Sequence, residues 1–129
     1  MVNEGLKWSP SGHIHYLFNN AGIQGEFNPC HKYTDESFST VMKINVDSVF
    51  FFLKYVSAAM KERGTPECAI VNTASRAGMI GPPNMIAYAA SKGAIIAMTK
   101  TAAKDLAPYN IRVNSISPAL VGDCEMWRR

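Results

Sequence analysis

Apolar residues along this chain fall into two kinds of pattern, short continuous runs and long stripes with three- and four-residue steps. Ile14 to Phe18 is a short run rich in β-formers that ends at Asn19-Asn20-Ala21-Gly22, a cluster of turn residues, and so predicts a strand feeding a loop. A polar stretch with Gly25 and Pro29 follows. Thr34-Asp35-Glu36-Ser37 then offers an N-cap with acidic residues in the first turn, where the helix dipole favours negative charge. Phe38, Val41, Met42, Asn45, Val49, Phe52, Val56 and Ala59 recur at helical steps until Gly64 and Pro66, which predicts a helix over about 35–63. Cys68-Ala69-Ile70-Val71-Asn72 is a continuous apolar run of the kind found in a parallel strand covered on both faces. Gly78, Gly81, Pro82 and Pro83 keep residues 76–84 irregular. Beyond them Met85 to Leu106, rich in Ala, Ile, Met and Lys, predicts a second long helix, about 85–107, stopped by Pro108. Ile111-Arg112-Val113-Asn114-Ser115-Ile116, closed by Pro118, reads as a third strand.

The order is strand, helix, strand, helix, strand. Parallel neighbours need a crossover helix, so two such units in sequence predict an α/β domain built on a parallel sheet. Ligands in such sheets lie beyond the carboxyl ends of the strands, which here are residues 19–22, 73–76 and 117–121. There is no internal repeat and no low-complexity segment.

At 129 residues the chain has room for a single hydrophobic core. Hydrophobic residues at 47% and charged residues at 18% place it among globular chains, not disordered tails. Its net charge of +3 is scattered, so no nucleic-acid surface is expected; only Trp127-Arg128-Arg129 is locally basic. Lys54 and Lys61 interrupt the most apolar segment, and no stretch approaches the roughly 18 apolar residues of a membrane span. Residues 1–12 lack the features of a signal or transit peptide, which makes the cytosol the expected compartment. Cys30, Cys68 and Cys124 are widely spaced, with neither a CxxC pair nor a His cluster, so free thiols and no metal site are expected.

Tyr88 and Lys92 stand four apart at the start of the second long helix and project from one face. An ammonium beside a phenol favours the phenolate, and would fit Tyr88 for general acid or base work. Taken alone, the pair is more simply a surface pair on a helix. Ser75 lies at the carboxyl end of the second predicted strand, at the sheet edge from which that helix starts, so two hydroxyls could converge on one carbonyl oxygen; an isolated serine there is more simply a turn residue. Asn45 is an amide on the apolar side of the first long helix. Burial without a partner would cost it about 1 to 3 kcal/mol, so a buried Asn45 needs a hydrogen bond; taken alone, it more simply bonds backbone or is exposed than serves a site.

Together these blocks resemble one family, the short-chain dehydrogenases/reductases. The resemblance rests on Asn19-Asn20-Ala21-Gly22, Ile44-Asn45-Val46, Ile70-Val71-Asn72-Thr73-Ala74-Ser75 with Gly78, Tyr88-Ala89-Ala90-Ser91-Lys92 and Arg112-Val113-Asn114-Ser115-Ile116-Ser117-Pro118, in the expected order. It covers about 14–127. It implies a partial Rossmann-like doubly wound parallel sheet and hydride transfer between NAD or NADP and the alcohol or carbonyl carbon of a small molecule. Under it Tyr88 exchanges a proton with the substrate oxygen, and Lys92 assists it and binds the nicotinamide ribose. Ser75 polarises the same oxygen, and Asn45 holds a water that links Lys92 to solvent. Asn19, Asn20, Ala21 and Gly22 shape the cofactor groove, and Pro118 and Val121 lie beside the nicotinamide. It further implies a homo-oligomer formed through helices 35–63 and 85–107. Gly81-Pro82-Pro83-Asn84-Met85, Ser91 to Ala97, Asp105 to Ile111 and Met126-Trp127 are similar to the polyol-oxidising branch, in particular the bacterial NAD-dependent xylitol dehydrogenases; NAD is favoured on that analogy.

The chain also departs from the pattern. Nothing in residues 1–13 supplies the strand, glycine-rich turn and helix start that cradle a pyrophosphate, and Gly5 and Gly12 are not that motif. His15 stands where the family usually has Asp, Ala119 where it has Gly, and Asp123 where many members have Thr. Two readings follow: the catalytic portion of a dehydrogenase acting on a polyol, sugar or other secondary alcohol, or an inactive fragment that at most associates through its long helices.

Overall fold

The computed structural model describes residues 2–119. Three strands, β1 (Tyr16–Asn19), β2 (Cys68–Thr73) and β3 (Ile111–Ile116), form a parallel sheet in the order β1-β2-β3. Leu17 lies opposite Ile70, and Ile70 opposite Val113, which lines their side chains up on one face. That face is the core. Cys68 and Ile70 are fully buried, and Ile111 and Val113 nearly so. They pack with Val49, Leu53, Val56 and Met60 of helix α3 (Ser48–Glu62) and Ile95 of helix α5 (Ile86–Leu106). The first helix, α1 (Val2–Trp8), adds Val2 to the rim of this cluster.

The apolar run of β2 is buried on one face and half-buried on the other, not covered on both. Tyr16, Phe18 and Ile116 on the second face are 68, 60 and 46% exposed. Helices α3 and α5, from the two crossovers, both pack on the core face of the sheet, so the described residues furnish a single helical layer on it.

The long helix expected over 35–63 is interrupted. Thr34 caps α2 (Asp35–Met42) by accepting from the Ser37 N–H at 3.3 Å, as its sequence predicts. Lys43–Asp47 then form a π-helical segment before α3 begins. An extra residue in a turn widens it and shifts the face that follows. Val41, Asn45, Val49, Leu53, Val56 and Met60 are therefore the buried line, and the Phe52 and Ala59 of the sequence stripe sit at its margin. The second helix spans 86–106, within a residue of its expected limits.

Residues 76–84 are not wholly irregular. Ala77–Ile80 form a single turn, α4, packed against α5. The contact depends on Gly78: a Cβ there would lie 2.6 Å from both the Gly93 nitrogen and the Lys92 carbonyl carbon. Those are backbone atoms of a helix and cannot swing aside. Gly78→Ala is expected to destabilise the fold by about 1–3 kcal/mol, the usual cost of overpacking. A urea midpoint unchanged from the parent would refute the close approach.

Candidate active site

The carboxyl ends of the strands converge as the sequence predicts, and side-chain and main-chain bonds tie them together. The Ala74 N–H donates to the Ile116 carbonyl at 2.9 Å and the Arg76 N–H to the Pro118 carbonyl at 3.0 Å, joining the loops after β2 and β3. The Thr73 hydroxyl donates to Asn20 Oδ1 at 2.9 Å, joining the loops after β1 and β2. Helix α5 starts at this edge, and Tyr88 and Lys92 lie in its first two turns.

Neither residue is a surface group. Tyr88 is 6% exposed and packs on Ala77 and Met85; Lys92 is 3% exposed. Lys92 Nζ donates to the Thr73 carbonyl at 2.7 Å and lies 5.6 Å from the centre of the Tyr88 ring. Burial therefore holds a cation beside the phenol, with a main-chain carbonyl to fix it. The same burial lowers the Lys92 pKa from the ordinary 10.5, because water no longer solvates the ammonium.

Between its folded and unfolded midpoints, both at or below 10.5, Lys92 holds more protons in the unfolded chain, so its contribution to stability rises with pH through that window. Cys68 opposes it: burial raises its thiol pKa above 9.0, so the folded chain holds the extra proton and stability falls there. Lys92→Met removes only the first effect. The stability of the parent minus that of Lys92→Met is expected to increase with pH between neutrality and 10.5. Equal urea-midpoint profiles for the two proteins would show that Lys92 carries no buried charge.

Asn45 is fully buried at the centre of the π-helical segment. Its Oδ1 accepts from the Ile23 N–H at 2.8 Å, and its Nδ2 donates to the Ile23 carbonyl at 2.8 Å and to Ser91 Oγ at 3.0 Å. Ser91 in turn donates to the Tyr88 carbonyl at 2.8 Å. The amide thus clamps the loop after β1 onto α5. It meets the sequence expectation of a backbone partner, although the partner belongs to a distant loop. Gly22 closes over the clamp: a Cβ there would stand 3.1 Å from Asn45 Oδ1 and 3.4 Å from Lys92 Nζ.

The other expected residues are less uniform. Ser75 is half-buried just after β2, and its hydroxyl accepts from the Ala77 N–H at 3.1 Å, two residues on. Since Ala77 packs on Tyr88, the turn that carries Ser75 is held against the phenol. Asn20 and Ala21 are exposed at the edge and Pro118 is half-buried. The Asn19 side chain points into the covered face of the sheet, where Nδ2 donates to Asn72 Oδ1 at 2.8 Å. Val121 and Asp123 lie outside the described residues. Sequence reasoning missed the Thr73 carbonyl, Ile23 and Ser91 as partners; of these, Thr73 and Ser91 stand inside the blocks that carry the resemblance, Ser91 at Tyr88+3. Among the described residues no cluster of three or more His, Cys, Asp or Glu could hold a metal.

The geometry joins an amide, a tyrosine and a buried lysine at the carboxyl end of a parallel sheet. Residues 6–129 match the sequence pattern described as short chain dehydrogenase. The chain belongs to that family. This short-chain dehydrogenase sequence is 39% identical over 110 residues to levodione reductase of Leifsonia aquatica, and 40% identical over 113 residues to cyclohexanol dehydrogenase of Acinetobacter sp. strain SE19. It aligns over 85 and 88% of its own length and spans 40 and 44% of theirs, under half of each relative. Among solved structures it superposes on NAD+-bound xylitol dehydrogenase with a TM-score of 0.90 and 53% identity, covering 98% of this chain and 47% of that one. No helix among the described residues is long and apolar enough to cross a membrane.

Proposed function

We propose that this chain carries the alcohol side of hydride transfer between NAD or NADP and the CH–OH or C=O carbon of a polyol, a sugar or another secondary alcohol or ketone. The observation that carries the reading is the buried Lys92 ammonium, held by the Thr73 carbonyl beside Tyr88 at the carboxyl end of the sheet. The residues fit the nicotinamide end of such a cofactor: Lys92 and Tyr88 offer donors, and Gly22 leaves uncovered a position that a Cβ would fill. When bound, the nicotinamide supplies the hydride acceptor or donor. Tyr88 holds or releases the proton at the substrate oxygen, and Ser75 orients that oxygen. Lys92 sets a positive charge beside the phenol and hydrogen-bonds a ribose. Asn45 uses both amide hydrogens on protein partners, leaving one Oδ1 lone pair for a water towards Lys92. Pro118 would lie on the nicotinamide side, and Asn20, Ala21 and Gly22 would border the groove. The cytosol suits the free thiols of Cys30 and Cys68.

A second reading has its own observation. The outer edge of β1 has no partner among the described strands, and Tyr16 and Phe18 are exposed beside it. An open apolar edge destabilises a sheet and invites association. Under this reading the chain alone turns over little or nothing and at most pairs with a second copy through α3 and α5. A groove of about 450 Å3 between them is lined by Phe50, Leu53, Met98, Ala102 and Leu106.

Titration of the purified chain with NADH and NADPH by fluorescence, followed by turnover with xylitol and cyclic alcohols, separates the two. Micromolar binding with turnover supports catalysis by this chain alone. Silence in both assays, with a dimer in sedimentation, supports the fragment reading.

A further inference from the structure

A second polar cluster lies on the covered face of the sheet, and of its members only Asn19 was among the expected site residues. Asn72 is fully buried, and Asn19 and Thr99 are 7 and 5% exposed. Asn19 Nδ2 donates to Asn72 Oδ1 at 2.8 Å, Asn72 Nδ2 to Thr99 Oγ1 at 2.9 Å, and Thr99 Oγ1 to the Ile95 carbonyl at 2.7 Å. This chain of bonds runs from the end of β1 through β2 into the middle of α5. Apolar side chains would pack these elements together as well, but they tolerate small slides and rotations that directional, buried hydrogen bonds do not.

The position of Thr99 gives that rigidity a purpose. It stands about two helical turns beyond Lys92 on the same buried face of α5. Lys92 is bonded to the Thr73 carbonyl, and Thr99 to the side chain of Asn72, the preceding residue. Two adjacent residues of β2 therefore grip α5 at points about 10 Å apart along its axis, and the helix can neither slide nor turn without breaking one grip.

We infer that Asn72 and Thr99 are positioning residues: the Asn19-Asn72-Thr99 chain sets the axial position of α5, and so seats Lys92 Nζ on the Thr73 carbonyl beside Tyr88. The consequence for catalysis rests on the function proposed above; the seating of Lys92 does not.

The test reads Lys92 directly. Its side-chain NMR signals, assigned by their loss in Lys92→Arg, are titrated in the full chain; Tyr88 is the titratable neighbour whose ring faces it. Thr99→Val keeps the volume and leaves Asn72 Nδ2 without a partner, Thr99→Ser keeps the hydroxyl, and Met60→Ala weakens the core of α3. With α5 released, water reaches the ammonium, so Thr99→Val is expected to move the Lys92 midpoint up towards the ordinary lysine value. Thr99→Ser should restore the parent's midpoint, and Met60→Ala should leave it unmoved despite a lower thermal midpoint. A Thr99→Val protein with the parent's Lys92 midpoint overturns the inference, as does an equal shift in Met60→Ala. If Thr99→Val does not fold, Asn19→Ala, which removes only the outer link, is titrated instead: a shift in the same direction supports the inference and an unmoved midpoint overturns it. None of these readings needs cofactor or turnover, so a failure of the proposed reaction would leave this result standing, and the reverse.

Discussion

Tyr88→Phe is expected to lower kcat/KM for a secondary alcohol by about 10²- to 10⁴-fold, the range usual for loss of a positioned acid or base. The assay uses this chain grafted in place of the aligned segment of NAD+-bound xylitol dehydrogenase, which it matches over 98% of its length at a TM-score of 0.90. The substitution removes one oxygen and keeps the ring. Ala77 and Met85 pack on that ring, so the fold and the seat of Lys92 should survive, and the loss isolates the proton transfer. A fall in kcat with little change in KM is expected, because the hydroxyl matters most as the substrate oxygen changes charge. A phenylalanine graft within threefold of its parent would exclude Tyr88 as the proton carrier. Ser75→Ala should cost less, and part of its loss would be structural, since Ser75 Oγ also accepts from the Ala77 N–H.

What the sequence could show of this site depended on how local each signal was. β3 and α5 are bounded by Pro108, Pro118 and the proline pair at 82–83, and their limits were readable to within a residue. The π-helical turn at Lys43–Asp47 has no such punctuation. A rule built on one regular period carries the stripe straight through it, and so takes Phe52 and Ala59 where the wider turn presents Leu53 and Met60. α1 contains Gly5, and its apolar residues make no long stripe; contact with α3, not propensity, accounts for it. Asn19 shows the limit most plainly. It sits in a turn-like cluster, yet its partner Asn72 is 53 residues away and Thr99 lies a further 27 on. Nothing near Asn19 in sequence tells it apart from Asn20, which faces outward. Tyr88 and Lys92 show the opposite failing: their spacing was plain, but a surface pair and a buried pair share it, and only the packing of α4 and the Gly22 loop over them decides.

Asn45→Leu is expected to destabilise the chain by about 2–4 kcal/mol, lowering its thermal midpoint by roughly 10–15 °C. Leucine shares the branching of the amide but is bulkier, and Asn45 lies on the buried line between Val41 and Val49, so hydrophobic transfer by itself would favour the change while overpacking adds to its cost. Two orphaned groups oppose it. The Ile23 N–H and C=O would both lose their partner, and each unsatisfied buried group costs about 1–3 kcal/mol. Ser91 loses a donor but keeps its bond to the Tyr88 carbonyl, so it adds little. Asn45→Asp separates the two halves of the clamp, since a carboxylate still accepts from the Ile23 N–H but cannot donate to the Ile23 carbonyl. It is expected to lose part of the stability, and to raise the Lys92 midpoint by setting a negative charge near Nζ. A leucine variant within about 0.5 kcal/mol of the parent would mean that water satisfies Ile23 as well as Asn45 does. In that case the amide is held at the centre of the π turn for what it does with Lys92, and not for the loop that it clamps.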